Sequence, residues 1–345
     1  MSVRRVLHVD CDCFFAAVEM HDNPQWHDIP LAVGGDPNGR GVIATCNYPA
    51  RAFGVRSAMP SALALRMCPS LLLVPGRMVR YRQVSDQIMS ILRQYARLFE
   101  QVSVDEAYLE PHSGVDAAWL AQQIRAEVRA RTGLTVSVGV APNRFLAKVA
   151  SDWNKPDGLM VLSEDQIPAF MHSLAVGRIP GVGPRFQERL QADGISTCGQ
   201  LLEFSLASLV HQYGRMGAAL YERARGRDDR PLQEKRERKS VSVERTFQRD
   251  LWGVEACLAQ LPGLWSRWCE RIEHSGWQGT GLQPFVKVRF SDFTSTTVAS
   301  VHEDANCEGF ARLIRQAMER SPQGVRLMGI GARQVRINPA QGSLF

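Results

Sequence analysis

The sequence predicts an α+β chain of several units, and three observations carry that expectation. At 345 residues with 45% apolar content, the chain is too long for one ordinary core and apolar enough to fill two to four. Short strand-like runs alternate with amphipathic segments of helical spacing up to about residue 165, and again from residue 241. Between those stretches lie short helical segments broken by glycine and a charged run from Gln233 to Lys239.

Arg4 to Val9 alternates into a strand that delivers Asp10 at its carboxyl end. Phe14 to Met20 reads as a helix stopping near Asn23-Pro24. Glycines and prolines from Pro30 to Gly41 mark loops, Val42 to Cys46 a short strand and Asn47 to Arg51 a turn, so residues 11–76 form a small irregular lobe. Val84, Ile88, Leu92, Tyr95 and Leu98 recur at helical spacing, and Leu120, Ile124 and Val128 mark a second amphipathic helix. Between them the apolar run Val102 to Leu109 is interrupted by Asp105 and Glu106, where a hairpin would put its tip. Leu134 to Val140 is a further strand. Pro142-Asn143 then caps a helix with Phe145, Val149 and Trp153 turned inward and Lys148 pointing elsewhere. The first strand and residues 77–165 make one mixed α/β unit.

Past Pro168 come short helices broken by glycine, including Ile179-Pro180-Gly181-Val182-Gly183. The following run sets Lys235, Arg236, Arg238 and Lys239 against Glu234 and Glu237; a solvated linker is the plain reading and phosphate contact the second. Residues 241–247, 284–293, 296–302 and 325–337 read as strands, and 254–274 and 307–320 as helices. That order is β-α-β-β-α-β, the ferredoxin-like arrangement, with one sheet face under the helices and the other bare. Lys287, Arg289, Arg333 and Arg336 are candidates to lay that bare face on a duplex.

A formal charge of +6 fits a polyanionic partner without demanding one. The eight cysteines lack the paired spacing of zinc ribbons or redox motifs, which leaves free thiols in a reducing compartment. No signal-peptide core or membrane-length run occurs, so a cytoplasmic protein is expected.

Adjacent acids on a buried-looking turn are costly unless a cation repays them. With Asp10, the pair Asp105-Glu106 offers three carboxylates on neighbouring strands, a donor set for hard divalent ions rather than zinc. Such a trio can hold two ions roughly 3.5 to 4 Å apart for phosphoryl transfer. Tyr48, Arg51, Lys148 and Lys155 can neutralise a triphosphate, and the helix start after Asp10 adds free N–H groups. In isolation Asp105-Glu106 would be a solvated tip, Phe15 a core aromatic, and Arg51, Lys148 and Lys155 surface charges.

Four stretches resemble the Y-family DNA polymerases, closely their bacterial DNA polymerase IV branch. They are Val9 to Glu19 (VDCDCFFAAVE), Asn47 to Pro60 (NYPARAFGVRSAMP), Ser103 to Leu109 (SVDEAYL), and Phe145 to Asp152 running into Asn154-Lys155-Pro156. The resemblance implies a right-hand polymerase: a ferredoxin-like palm (1–10 and 77–165), small fingers (11–76), a helical thumb with a helix-hairpin-helix turn (166–232), a linker (233–240) and a little finger (241–340). It implies a monomeric, template-directed, low-fidelity translesion enzyme that adds deoxynucleotides to a primer 3′-hydroxyl on primer-template DNA. Asp10, Asp105 and Glu106 would be the catalytic metal ligands, with the backbone carbonyl of Cys11, for two Mg2+ ions. Asp12 and Asp152 carry the same charge, but the resemblance implies no ligand position for either, which leaves helix capping or local hydrogen bonds as their better account. Thr45, Tyr48, Arg51, Lys155 and Lys148 would grip the deoxynucleoside triphosphate, with Phe15 as steric gate against the 2′-hydroxyl and Phe14 contributing backbone only. Gly181 and Gly183 would approach DNA phosphates, with Lys239 and the basic little-finger residues. The tail Gln341 to Phe345 resembles a sliding-clamp peptide anchored by Gln341, Leu344 and Phe345.

This chain departs from the family pattern at Gly342, often leucine; at Cys11, often bulkier; at Cys46, usually alanine; and at Glu110, commonly aspartate. Gly342 would weaken the clamp contact, and Cys46, if it lines the nucleotide pocket, would alter lesion preference. No second acidic constellation suggests a proofreading nuclease. Two rivals are a palm-domain nucleotidyl cyclase, which would need neither the thumb turn nor a basic final unit, and a catalytically dead DNA- or clamp-binding protein, which would have lost an acid.

Overall fold

Alternation in Val6-Leu7-His8-Val9-Asp10-Cys11 turns Leu7, Val9 and Cys11 to one sheet face and Val6, His8 and Asp10 to the other, and β1 (Val6–Cys11) is buried along its whole length. The structure, a computed structural model, describes residues 4–234, 237–277 and 281–334. It comprises two units, Met1–Pro37 with Gly41–Lys235, and Asn38–Arg40 with Arg236–Phe345.

In the first unit β1 leads into α1 (Phe14–Asp22), whose Phe14 and Val18 pack beneath the sheet. A three-stranded lobe follows: β2 (Leu31–Gly34), β3 (Ile43–Cys46), α2 (Tyr48–Ala52), α3 (Ser61–Met67) and β4 (Leu72–Val74), in sheet order β3-β2-β4. Its small core holds Ile43, Cys46, Ala50, Val55 and Ala64. Then come α4 (Met78–Gln94), β5 (Leu98–Gln101), β6 (Glu106–Glu110), α5 (Ala117–Thr132), β7 (Val136–Ala141), α6 (Arg144–Ser151) and β8 (Leu159–Val161).

The main sheet runs β5-β6-β1-β7-β8, antiparallel except for the β7/β8 pair. With β1 central, and β6 and β7 on its flanks, the strands β1, β5, β6 and β7 with α4 and α5 form the split β-α-β-β-α-β expected from the sequence. Ile88 and Leu92 of α4 and Ile124 and Val128 of α5 cover one face. On the other, Val6, Tyr108 and Ala141 meet Phe145 and Leu146 of α6. That core continues into α7 (Ile167–Ser173), α8 (Pro184–Ala192), α9 (Cys198–Leu201), α10 (Leu206–Tyr213) and α11 (Arg215–Ala224). At Gly139 on β7, a Cβ would come within 2.1 Å of the Ala147 carbonyl and 2.3 Å of the Ser151 nitrogen. Only glycine lets α6 lie this close to the sheet, which sets Lys148 and Ser151 over β1.

The second unit holds β9 (Ser240–Leu251), α12 (Val254–Leu258), α13 (Leu261–Glu273), β10 (Leu282–Phe290), β11 (Ser295–Ala299), α14 (Cys307–Met318) and β12 (Val325–Gln334). Its element order is the expected one, but its sheet runs β11-β10-β12-β9, with the first strand at an edge instead of the centre. The ferredoxin-like expectation therefore fails here in its strand order: the last strand, not the third, is inserted between the first and second. Trp268, Phe310, Leu313 and Ile314 cover one sheet face.

Four local expectations are corrected. Asn47 to Arg51 is not a turn but the start of α2, because Pro49 stands in the first helical turn, where its missing N–H costs nothing, and Asn47 caps the helix by accepting from the Ala50 N–H. Leu98 opens β5 instead of closing α4. Trp153 lies beyond the end of α6, 44% exposed, with its ring 4.9 Å from that of Phe170. The helix expected over 254–274 is two, with Pro262 in the first turn of the second. All eight cysteines are free. Among the described residues no helix is long and apolar enough to cross a membrane.

Candidate active site

Antiparallel pairing of β1 with β6 sets Asp10 opposite Glu106, and pairing with β7 sets it opposite Ser137. The Cys11 N–H donates to the Asp105 carbonyl at 3.0 Å, so the backbone itself holds the hairpin tip beside β1. Within the tip the Ser103 hydroxyl donates to Asp105 Oδ1 at 2.6 Å and accepts from the N–H groups of Asp105 (3.2 Å) and Glu106 (3.0 Å). This serine turn aims both acids at β1. A cleft of about 210 Å³ opens there, lined among others by Asp10, Cys11, Phe15, Thr45, Arg51, Asp105 and Lys155.

Lys155 pairs with Asp10 and, at 3.2 Å, with Asp152; Lys148 reaches Glu106 Oε1 at 2.7 Å from α6. Burial pushes the Asp10 carboxyl up to about 7 against the pull of Lys155, and the charge on Glu106 adds to the push. Burial alone would raise Glu106 too, but the Lys148 ammonium outweighs it and holds that carboxyl below its ordinary range. Against their own burial, the carboxylate partners keep Lys148 and Lys155 above the usual lysine value. Acids this deep stay ionised only with cations beside them. A nitrogen of His8 and one carboxylate oxygen each from Asp10 and Glu106 lie within 4.8 Å of one another. Asp105 is not part of that group but lines the cleft with Asp10, and oxygen donors of this kind fit hard divalent ions.

Around the cleft, half-buried Phe15 stacks on Tyr81 with centroids 4.3 Å apart and planes at 14°. The Tyr81 hydroxyl donates to buried Glu19 at 2.6 Å, and Arg77 holds the same carboxylate with bonds of 2.9 and 2.8 Å. Phe14 is in the core, as expected. The Arg51 guanidinium lies 4.7 Å over the Tyr48 ring, and its Nε donates to the Cys46 carbonyl at 3.2 Å. Cys46 does not line the cleft: it is buried in the lobe core with its thiol on the Val55 carbonyl. Glu110 is tied to Arg4 (2.6 Å) and Arg97 (2.7 Å).

Asp12 departs from the sequence reading. Instead of capping α1 it accepts from Thr135 Oγ1 (2.7 Å), Ser137 Oγ (2.8 Å), the Asp157 N–H (2.7 Å) and the Tyr48 hydroxyl (3.4 Å). Partners so distant in the chain leave no local signal. Ser103, Tyr81, Glu19 and His8 were also missed; a serine two residues before an acid at a turn was a usable signal for Ser103 alone. Cys13, between Asp12 and α1, is left-handed at φ 41°, a conformation costly for a residue with a Cβ.

Farther from the cleft, exposed Gly181 at φ 97° and exposed Gly183, the N-cap of α8, flank buried Val182. Lys239 is exposed. Lys287 is paired with Glu244 at 3.0 Å, Arg289 bonds Ser295, and Arg333 lies 5.2 Å over Phe285. Arg336, Gln341, Leu344 and Phe345 lie outside the described residues.

Family models match this chain at residues 9–152 (impB/mucB/samB family), 177–228 (DNA polymerase-iota, thumb domain) and 238–344 (impB/mucB/samB family C-terminal domain). DNA polymerase IV of Legionella pneumophila is 45% identical over 343 residues, 98% of this chain and 97% of its own; that of Pseudomonas putida is 46% identical over 338 residues, 96% and 95%. The chain belongs to the Y-family DNA polymerases, in the bacterial DNA polymerase IV branch. Among solved structures, a Y-family DNA polymerase chimera (Dbh-Dpo4(243-245)-Dbh) matches with TM-score 0.87 and 29% identity over 97% of this chain and all of its own. An insertion ternary complex of Dbh DNA polymerase matches with TM-score 0.68 and the same identity and coverage. The fold is that of a right-hand polymerase, and the Y-family member described here is a metal-dependent DNA-directed DNA polymerase of low-fidelity translesion synthesis.

Proposed function

We propose that Asp10, Asp105 and Glu106, with the carbonyl of Cys11, would hold two Mg2+ ions, and that in this cleft a primer 3′-hydroxyl attacks the α-phosphate of a deoxynucleoside triphosphate, releasing pyrophosphate. The observation that carries this is the position of Asp10 between the other two acids: it lines the cleft with Asp105, whose carbonyl is bonded to β1, and stands in register with Glu106, a carboxylate oxygen of each within 4.8 Å. When bound, the ions supply Lewis acidity at the attacking hydroxyl and at the phosphate oxygens. Ser103 keeps the acids oriented, so the cost of ordering them is met by the fold before substrate arrives. Thr45, Arg51 and Lys155 on the cleft wall, with Tyr48 under Arg51 and Lys148 beside Glu106, neutralise the triphosphate. The Phe15 ring, held flat on Tyr81, closes the space a 2′-hydroxyl would need.

The palm is then 1–10 and 77–165, the fingers 11–76, the thumb 166–232, the linker 233–240 and the little finger 241–340. Gly181 and Gly183 bring thumb N–H groups to DNA phosphates, and Lys239, Lys287, Arg289, Arg333 and Arg336 serve the duplex backbone. Gln341, Leu344 and Phe345 form a sliding-clamp peptide on a monomeric, cytoplasmic enzyme. Primer extension tests the core of this reading: Glu106→Ala loses extension by several orders of magnitude while duplex affinity persists, and near-normal extension overturns it.

A further inference from the structure

His8 lies one strand repeat before Asp10 on the same face of β1, fully buried and opposite Tyr108, whose ring is 4.5 Å away. The Ser151 oxygen lies 2.8 Å from the Lys148 carbonyl, to which its hydroxyl can donate, and 2.7 Å from His8 Nδ1, from which it then accepts. With that pairing the neutral ring carries its proton on Nδ1 and its lone pair on Nε2. That Nε2 is buried and has no hydrogen-bond partner among the described residues. A buried acceptor left unpaired costs about 1–3 kcal/mol. A ring nitrogen of His8 lies within 4.8 Å of carboxylate oxygens of Asp10 and Glu106, and one imidazole nitrogen held by an outer partner with the other unpaired is the arrangement of metal-binding histidines.

We propose that His8 Nε2 is a ligand to a divalent ion shared with Asp10 and Glu106, giving the active site a mixed nitrogen and oxygen position that takes transition-metal ions of the cobalt and zinc class. This rests on the reading of Asp10 and Glu106 as ion ligands. An imidazole donor raises affinity along the series toward the later transition metals and adds little for magnesium. The ion takes the place that the Lys148 ammonium holds on Glu106, and Ser151 becomes the outer support of the new ligand.

Co2+ alone, titrated into the full chain, is the probe. The wild-type complex shows a hyperfine-shifted, exchangeable imidazole N–H proton that disappears in Glu106→Gln and in His8→Phe. Co2+ affinity falls about 10- to 100-fold in His8→Phe and about 10-fold in Ser151→Ala, while Mg2+ affinity, read by competition, changes less than about twofold in both. If Co2+ binding is lost in Asp10→Asn and Glu106→Gln but the wild-type complex lacks the shifted proton, the carboxylate site stands and the histidine ligand is refuted. If neither carboxylate variant affects Co2+ binding, the ion site itself falls with it. The proton is read on the wild-type chain and assigned through Glu106→Gln, so a misfolded His8→Phe leaves the test intact.

Discussion

Replacing Asp12 with alanine removes the acceptor of three hydrogen bonds shorter than 2.9 Å, from Thr135, Ser137 and the Asp157 N–H, at a site 2% exposed. Bonds to a charged acceptor contribute about 1.5–3 kcal/mol each, but water entering the space left by the carboxylate re-pairs part of what is stranded, so the net loss is about 3–5 kcal/mol. At about 2–4 °C per kcal/mol for a unit of this size, the melting temperature falls by about 6–20 °C. The same change frees the loop that carries Lys155, two residues before Asp157, and Lys155 holds Asp10. A misplacement of about 1 Å there costs about 10²-fold in kcat/KM for the incoming nucleotide. Thermal unfolding and single-nucleotide insertion kinetics read both effects. Asp12→Asn keeps the shape but turns an N–H toward donors, and falls between. An Asp12→Ala chain that melts within about 2 °C of wild type and keeps its insertion rate would refute the role of this carboxylate as the clamp of the cleft wall.

Two further outcomes follow from the same cleft. Phe15→Ala opens the space beneath the sugar and admits ribonucleotides, read as a fall in the deoxy-to-ribo ratio of kcat/KM; an unchanged ratio counts against the gate. Because the Asp10 carboxyl is pushed up to about 7, it holds its proton below that pH, and an entering cation must displace it. Divalent-ion affinity therefore weakens as pH falls from 8 to 6, with proton release on binding at the lower value, whereas affinity flat across that range contradicts the assignment.

Much of this was legible in the sequence because it is periodic. The runs that became α4 and α5 each bury one face, and that burial writes the period, whereas β1 and β7 are buried on both faces and read as short apolar runs. Proline misled in two opposite ways: Pro49, read as part of a turn, stands in the first turn of a helix, and Pro262, passed over inside one expected helix, stands in the first turn of a second. Strand insertion in the second sheet is a tertiary choice, since element order is the same whichever strand enters the split. Of the site, the acids stood out only together, Asp105-Glu106 between apolar flanks and Asp10 at the end of an apolar strand. Their supports were not: Lys155 meets Asp10 and Asp12 meets Ser137 across more than a hundred residues of chain. His8 reads as one more strand residue until α6 is laid over it.

The central claim is that Asp10, Asp105 and Glu106 jointly hold the ions of nucleotidyl transfer. Its most direct measurement is anomalous diffraction from a crystal of the chain with primer-template, incoming nucleotide and Mn2+. The account predicts two ion peaks at the primer end, with Asp10, Asp105 and Glu106 all among their ligands. Ion peaks there that leave Asp10 or Glu106 uncoordinated would contradict it.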